Sequence, residues 1–352
     1  MAGELNIVGR DVVLIPDNAD LNDDVIRNLN AFIKDREAFA DNTWNQFLIT
    51  VRTWCRWCLA KGRPYLPVEA DYMRDYLWEL HERGLSPATI SNCAAMLNLL
   101  HRQAGLIPAG DSQKVKRILK KIHRLAIVQG EQTGQAIPFR IADLNRLDAA
   151  WQDSTQLKAV RNLAFLFVAY NTLLRVSNLA RLKVRDVMCQ RNGSVLLNVG
   201  YTKTIVDGQG VVKALSPRAA VRLLAWLEVS GLSTHPDAYV FCRVHCSNQA
   251  VVTAAAPMST RALAPIFSDA WEIVHGEHQQ AKNKGRYATW TGHSARVGAA
   301  QDMTESGYSL AQIMHEGTWT KPETVLGYIR NLEAKKSVMN DLVEGHSDPN
   351  EG

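Results

Sequence analysis

The sequence predicts a mainly α protein in two domains: an all-helical N-terminal domain, and a second, α-rich domain carrying a small antiparallel sheet. Three observations carry that expectation. Between Asn22 and Ala126, apolar residues recur at helical spacing in five successive stretches. A polar, glycine-containing run, Val128-Gln129-Gly130-Glu131-Gln132-Thr133-Gly134-Gln135, then interrupts the pattern and reads as an interdomain linker. Beyond it, Ser194 to Val199 and Val211 to Leu215 read as strands set among further helices. A chain of 352 residues, 46% hydrophobic and 21% charged, suits two domains that each bury a core. The expected division is a flexible arm over 1–21, a helical domain over 22–127, a linker over 128–138, a second domain over 139–335 and a tail over 336–352.

The first helix is expected over Asn22 to Ala40, with Val25, Leu29, Phe32 and Ile33 inward. The second runs from Thr43 to Gly62 and buries Trp44, Phe47, Leu48, Val51, Trp54, Cys55 and Cys58. A third begins near Pro67 and stops at Gly84, a residue suited to a left-handed terminus. Ser86-Pro87 opens a fourth, with serine as N-cap and proline at the first helical position, and Gly105 closes it. The fifth, Ser112 to Ala126, turns Val115, Ile118, Leu119, Ile122 and Leu125 inward. Its remaining face carries Lys114, Lys116, Arg117, Lys120, Lys121 and Arg124 without a single acid. A solvated helix mixes signs to gain i,i+4 pairs, so a rod of one sign points to an anionic surface; the alternative is a merely solvated basic face.

The second domain opens with a helix from Ile141 to Gln152. A strongly apolar one follows around Leu163 to Tyr170 and ends Asn171-Thr172-Leu173-Leu174-Arg175. An arginine closing a buried segment needs an anionic or carbonyl partner, unless it caps its own helix. Gly200-Tyr201-Thr202-Lys203-Thr204 puts Lys203 near a turn between the two strands, and Tyr239 to Cys242 suggests one more. Ser259-Thr260-Arg261 starts a helix to about Gly276, where a side chain and backbone amides can together address a phosphate backbone. The last third reads T-W-T-G-H-S-A-R-V-G-A-A from Thr289, then G-T-W-T-K-P-E-T-V-L-G-Y-I-R to Arg330. His293 and Arg296, three apart, would share a helix face. Thr320-Lys321-Pro322-Glu323 matches a capping box. Val325, Tyr328, Ile329 and Leu332 form an apolar stripe, so Tyr328 could equally be an ordinary core tyrosine.

Net charge is +5, which permits a nucleic-acid partner without demanding one. No apolar run approaches the length of a membrane span, and the first residues lack the charged start and hydrophobic core of a signal peptide. A soluble, cytoplasmic protein is expected. Six cysteines in so long a chain do not make a disulfide framework. Cys55-x-x-Cys58 and Cys242-x3-Cys246 are expected to pack rather than bind zinc. There is no P-loop, no G-x-G-x-x-G after a strand and no acidic metal cluster, so no cofactor and no metal are expected.

At this point Arg175, Lys203, His293-x-x-Arg296, Trp319 and Tyr328 together resemble the active site of the tyrosine site-specific recombinases. R-N-L-A-F-L-F-V-A-Y-N-T-L-L-R, T-K-T, S-T-R-A-L and T-G-H-S-A-R-V-G-A-A are similar to stretches of that family, and the likeness runs from about Asp24 to Gly345. It implies a C-shaped clamp around DNA, with residues 22–127 as a DNA-binding domain and 139–335 as a catalytic one. It implies Tyr328 as nucleophile, giving a 3′-phosphotyrosine and a free 5′-hydroxyl without ATP or metal. Arg175 and Arg296 would clamp the phosphate, Lys203 would protonate the leaving oxygen, His293 would assist proton transfer, and Trp319 would donate its indole N–H. Arg261, and beside it Arg243, correspond to DNA-facing positions, with Thr43, Gln46, Ser91 and Asn92 as further groove contacts. Partners implied are a double-stranded, inverted-repeat target, a homodimer on one site, and a homotetramer across two, linked through the tail helix.

Two departures stand out. Asn178 occupies a position where relatives carry an acid, and Ala88 one where a close relative carries a DNA-facing lysine. The alternatives are a type IB topoisomerase or hairpin-forming resolvase using the same chemistry, and a DNA-binding accessory protein that has lost catalysis, with Asn178 as the symptom.

Overall fold

The computed structural model describes residues 7–8, 11–12, 22–130, 134–200, 210–276 and 288–335. The chain divides into two compact units, Met1–Thr133 and Gly134–Gly352. In the first, Ile7–Val8 (β1) pairs antiparallel with Asp11–Val12 (β2), inside the stretch expected to be an arm without regular structure. The rest of that arm lies outside the described residues.

Five helices build the first unit: α1 Asp23–Lys34, α2 Asp41–Ala60, α3 Ala70–Glu82, α4 Pro87–Ala104 and α5 Gln113–Val128. Their ends follow the capping chemistry of the sequence. Ser86 and Ser112 each accept from a backbone amide three residues on, and Gly105 closes α4 at φ 76°. Two boundaries differ from expectation. α1 stops at Lys34 and a 3-10 turn over Arg36–Ala38 follows, while α3 starts only at Ala70. The apolar stripes meet in one core around Leu29, Phe47, Trp54, Met73, Leu77, Ile90, Leu97, Val115 and Ile122. Trp54 stacks on Trp57 at 5.4 Å, and both indoles donate, to the Tyr65 carbonyl and to Glu79. Aromatic pairs of this kind add about 0.5–1.5 kcal/mol beyond their area. Burial pushes the Cys58 thiol up to about 12 and Cys55 up to about 11, so the pair packs as thiols rather than offering thiolates to a metal.

His101 is locked at the centre of this core. Its Nε2 accepts from the Val68 amide at 2.7 Å and its Nδ1 donates to the Ile107 carbonyl at 2.6 Å, which requires the neutral ring. Burial holds its pKa below the ordinary histidine value of 6.5. A base whose folded pKa is depressed contributes stability that is present above the unfolded pKa and lost as pH falls toward the folded one. Denaturant unfolding between pH 7.5 and 5 should therefore show a loss beginning near 6.5, worth about 1–3 kcal/mol once the Val68 bond breaks. In His101→Gln that pH-dependent step should vanish.

The second unit contains α6 Ile141–Trp151, α7 Leu157–Thr172, α8 Val176–Arg181, β3 Val187–Cys189, β4 Val195–Val199, β5 Val211–Leu215 and α9 Pro217–Val229. There follow β6 Arg243–Val244, β7 Ala250–Val251, α10 Thr260–Leu263, α11 Pro265–His275, α12 Ser294–Glu305, α13 Leu310–Gly317 and α14 Pro322–Lys335. Every side chain from Leu163 to Ala169 is buried, which makes α7 the central helix, packed against α6, α9 and α12. The sheet is antiparallel in the order β3-β4-β5, with Leu197 opposite both Val187 and Lys213.

Tyr239 to Cys242 is not a strand. It makes a single antiparallel bridge, Lys183 with Tyr239, flanked by bonds from Val184 to the Ala238 carbonyl and from Val240 to the Leu182 carbonyl; the pairing goes no further, and the Val240 carbonyl accepts from the Trp226 indole instead. The helix expected over Ser259 to Gly276 is two, broken where Pro265 lacks an amide and crowds the preceding turn. α9 opens on Ser216-Pro217, the same start signal as α4, and went unread in the sequence. No helix among the described residues is long and apolar enough to cross a membrane.

Candidate active site

A second, smaller core in this unit sets the site. Leu173, Ala299, Ala300, Ile313, Trp319, Val325 and Ile329 pack together, with Tyr170 and Tyr328 against them. The cluster ties the end of α7 to α12, α13 and α14, which are the elements that carry the predicted residues.

α7 ends with Leu173 in the left-handed region, φ 53°, an uncommon conformation for a leucine. The reversal starts α8, whose N-cap is Arg175, a half-buried residue. Asn178 is buried within α8 and gives its amide to the Arg175 carbonyl at 2.8 Å.

His293 and Arg296 part company. His293 is the N-cap of α12 and exposed, whereas Arg296, in the first turn, is 2% exposed. They do not present one face to solvent, because α12 is buried along its first seven residues. The Arg296 guanidinium donates to the Leu173 carbonyl and, at 3.1 Å, to the Gly317 carbonyl. It also lies 4.5 Å from the centre of the Trp319 ring, which the Tyr328 ring meets edge-on. Burial first, and then the charge of Arg175, pull its pKa down to about 10, against an opposing pull from Tyr328. It stays charged at neutral pH, and Arg175, two residues beyond the Leu173 carbonyl that Arg296 holds, adds a second positive charge to the neighbourhood, which favours an anion there.

Trp319 is buried and meets the Tyr328 ring edge-on at 5.8 Å. Gly317 makes room for it, since a Cβ there would lie 1.9 Å from the indole. α14 begins at Pro322, one residue later than the capping-box pattern placed it, and its stripe of Val325 and Ile329 is buried with Tyr328 half-buried beside them. Tyr328 is held by its backbone too. Its carbonyl accepts from the side-chain amides of Gln301 and Gln135, each at 2.9 Å.

Gln135 belongs to a segment that lies along α12. Phe139 donates to the Ser294 carbonyl, the Trp290 indole donates to Pro138, and Arg140 bonds Asp302 and Glu305. Neither glutamine was singled out in the sequence, where nothing separates them from surface amides. Lys203 lies outside the described residues, between β4 and β5 in the chain. Of the expected set, Arg175, Arg296, Trp319 and Tyr328 are brought together, and His293 stands at the mouth of the same helix.

Arg296→Lys should separate charge from geometry. A lysine keeps the charge but cannot serve two carbonyls and a ring at once. One buried carbonyl, of Leu173 or of Gly317, would lose its donor, and denaturant unfolding should show a loss of about 1–3 kcal/mol.

Residues 140–335 match the model of the phage integrase family. The chain belongs to the phage integrase family. It is 39% identical over 323 residues to recombinase cre of Escherichia phage P1, covering 92% of this chain and 94% of that protein. Among solved structures, the fold resembles XerH site-specific recombinase bound to palindromic difH substrate in a post-cleavage complex, with TM-score 0.59, 13% identity, and coverage of 90% of this chain and 88% of that one. It also resembles the Tn1549 transposon integrase in complex with transposon right end DNA, with TM-score 0.58, 15% identity, and coverage of 86% and 94%. This phage integrase family member is a tyrosine recombinase, an enzyme that cleaves and rejoins DNA.

The DNA-contact candidates are scattered. Arg261 is exposed in the first turn of α10 and Arg243 is exposed on β6. In the first unit, Thr43 and Gln46 are half-buried on α2, Gln46 donating to Thr50 at 3.4 Å. Ser91 and Asn92 are half-buried on α4, with the Ser91 hydroxyl 2.9 Å from His123 Nε2. The six cations of α5 are all exposed, but two are engaged: Lys114 pairs with Asp71 at 2.6 Å and Lys121 lies over Trp78 at 4.1 Å.

Proposed function

We propose that this chain recombines double-stranded DNA at specific inverted-repeat sites through a 3′-phosphotyrosine on Tyr328. The observation that carries it is a buried guanidinium, Arg296, held by the Leu173 and Gly317 carbonyls over the Trp319 ring, which the ring of Tyr328 meets edge-on, with Tyr328 held by its own backbone. In-line attack by the Tyr328 oxygen on the scissile phosphorus builds charge on the non-bridging oxygens. Arg175 and Arg296 neutralise that charge, and Trp319 donates its indole N–H to one of those oxygens. The bond from phosphorus to the 5′-oxygen breaks, and Lys203 protonates the departing oxygen. His293, at the exposed start of α12, assists the phenol's proton transfer. The phosphotyrosine conserves the energy of the phosphodiester, so attack by a second 5′-hydroxyl rejoins strands with no role for ATP or a metal. Arg261, Arg243, Thr43, Gln46, Ser91, Asn92 and the open part of α5 read as the DNA-facing surface.

The test is incubation with a nicked duplex target, proteolysis, and mass analysis of the DNA-linked peptide. The peptide containing Tyr328, joined to a 3′-phosphate, is the expected product; a linkage to another residue or to a 5′-phosphate would refute the reading. The tail over 336–352 lies outside the described residues, and we assign it the link between protomers. Truncation after Lys336 should leave binding to one site intact and abolish the two-site tetramer seen by light scattering; an unchanged tetramer would remove that assignment.

A further inference from the structure

Lys213 has no part in the chemistry described so far, yet it is one of the few buried charges of the second unit. It lies in β5, 7% exposed, opposite Leu197 in the strand pairing. An unpaired ammonium in such a place is costly, so its partners indicate what it is for. Nζ donates to the Glu316 carbonyl and lies 3.6 Å from the Glu316 carboxylate. Glu316 and Gly317 are the last two residues of α13, and the next carbonyl along, that of Gly317, is the one that receives Arg296.

Two buried cations from different elements thus hold consecutive carbonyls at one helix end. That is where the helix dipole is negative and where backbone acceptors have no intrahelical donor. Burial pulls the Lys213 amine below the ordinary lysine range against Glu316, and the charge of Arg296 adds to that pull, which places the two cations within reach of each other. Directly after this helix end, Thr318 turns left-handed at φ 51° and Trp319 drops onto the Arg296 guanidinium and the Tyr328 ring. Gly317 cannot shift to relieve a change, because its Cα already faces the indole. A displacement of the Glu316 carbonyl therefore passes to the acceptor of Arg296 and to the indole beside the phenol.

We infer that Lys213 is a positioning residue for strand cleavage, which fixes the C-terminal carbonyls of α13 and through them the placement of Arg296 and Trp319 against Tyr328. The inference rests on the reading of Tyr328 as nucleophile. It also joins that site to β5, the strand after the stretch of chain that contains Lys203.

Lys213→Met removes the cation and keeps an unbranched side chain of similar reach. Single-turnover cleavage of a nicked target should fall at least about 10-fold, while DNA affinity stays within about 2-fold. In a ¹⁵N–¹H spectrum of the nine indoles, the Trp319 resonance, identified by its loss in Trp319→Phe, should shift while the other eight hold. Lys213→Arg, which restores a cation with several donors, should retain at least half of the wild-type rate. Undiminished cleavage in Lys213→Met, an unmoved Trp319 resonance, or a general movement of all indoles with loss of DNA binding would each overturn the proposal. A folded arginine variant with less than half of the wild-type rate would do the same, and this arm decides the matter if Lys213→Met does not fold. The underlying reading is judged separately: covalent product in Tyr328→Phe would sink the nucleophile, whereas product lost there but undiminished in Lys213→Met sinks the role of Lys213 alone.

Discussion

Tyr328→Phe is expected to form no covalent DNA product while binding its target as tightly as the wild type. The substitution removes one oxygen. The ring still meets Trp319 edge-on, and the buried seam of Val325 and Ile329 beneath it is untouched. The backbone carbonyl of residue 328 still accepts from Gln135 and Gln301, so α14 has no reason to move. What disappears is the phenol proposed as nucleophile, while the Arg296 guanidinium keeps the Leu173 and Gly317 carbonyls. Stability should change by about 0.5–1.5 kcal/mol at most. The rate of adduct formation should fall on the order of 10⁴-fold or more, since deletion of a covalent nucleophile leaves only binding and charge stabilisation. Denaturing gels of nicked-substrate reactions measure the first quantity, and equilibrium binding at fixed salt measures the second. Residual adduct at even a hundredth of the wild-type rate would assign the attack to another group.

Gly298→Ala should have the opposite profile, breaking the fold rather than the chemistry. A methyl group at 298 would lie 1.8 Å from the Phe139 carbonyl oxygen, 2.4 Å from its carbon and 2.8 Å from its nitrogen. All three are backbone atoms, so no side-chain rotation relieves the contact. α12 would have to separate from the segment over 134–140, breaking the Phe139–Ser294 hydrogen bond and loosening the bonds of Arg140 to Asp302 and Glu305. Overpacking of a well-filled site typically costs about 1–3 kcal/mol, and a clash against backbone belongs at or above the top of that range. For a unit of this size the midpoint of thermal unfolding should drop by roughly 6–12 °C. Cleavage should fall with it, because the same separation takes Gln135 away from the Tyr328 carbonyl and disturbs the helix that carries Arg296. A thermal midpoint within about 2 °C of wild type would show that the two segments are not packed as described.

Several parts of this molecule were open to a reader of residues alone. Serine followed by proline at 86, glycine at 105 and the basic run on α5 specify helix ends and a charged face by local chemistry, which needs no tertiary partner to act. Arg175, Lys203, His293, Arg296, Trp319 and Tyr328 were joined into one site by the resemblance to the tyrosine recombinases rather than by spacing, and Arg175, Arg296, Trp319 and Tyr328 lie near one another within the described residues. Other features depended on which surfaces meet. That Arg296 is buried while His293, three residues earlier, faces solvent follows from α12 sinking beneath the Leu173 and Gly317 carbonyls, and helical periodicity treats the two alike. The stretch from Tyr239 to Cys242 stopped at a single bridge to Lys183 because the Val240 carbonyl accepts from the Trp226 indole rather than from a neighbouring strand. Gln135, Gln301 and Lys213 carry no local signal at all: an amide or an amine acquires a role only when a distant carbonyl is placed opposite it. Local chemistry sets where elements start and stop, because caps and prolines act over four residues. The support of Tyr328 was decided by packing, because its hydrogen bonds join residues as far as 193 positions apart.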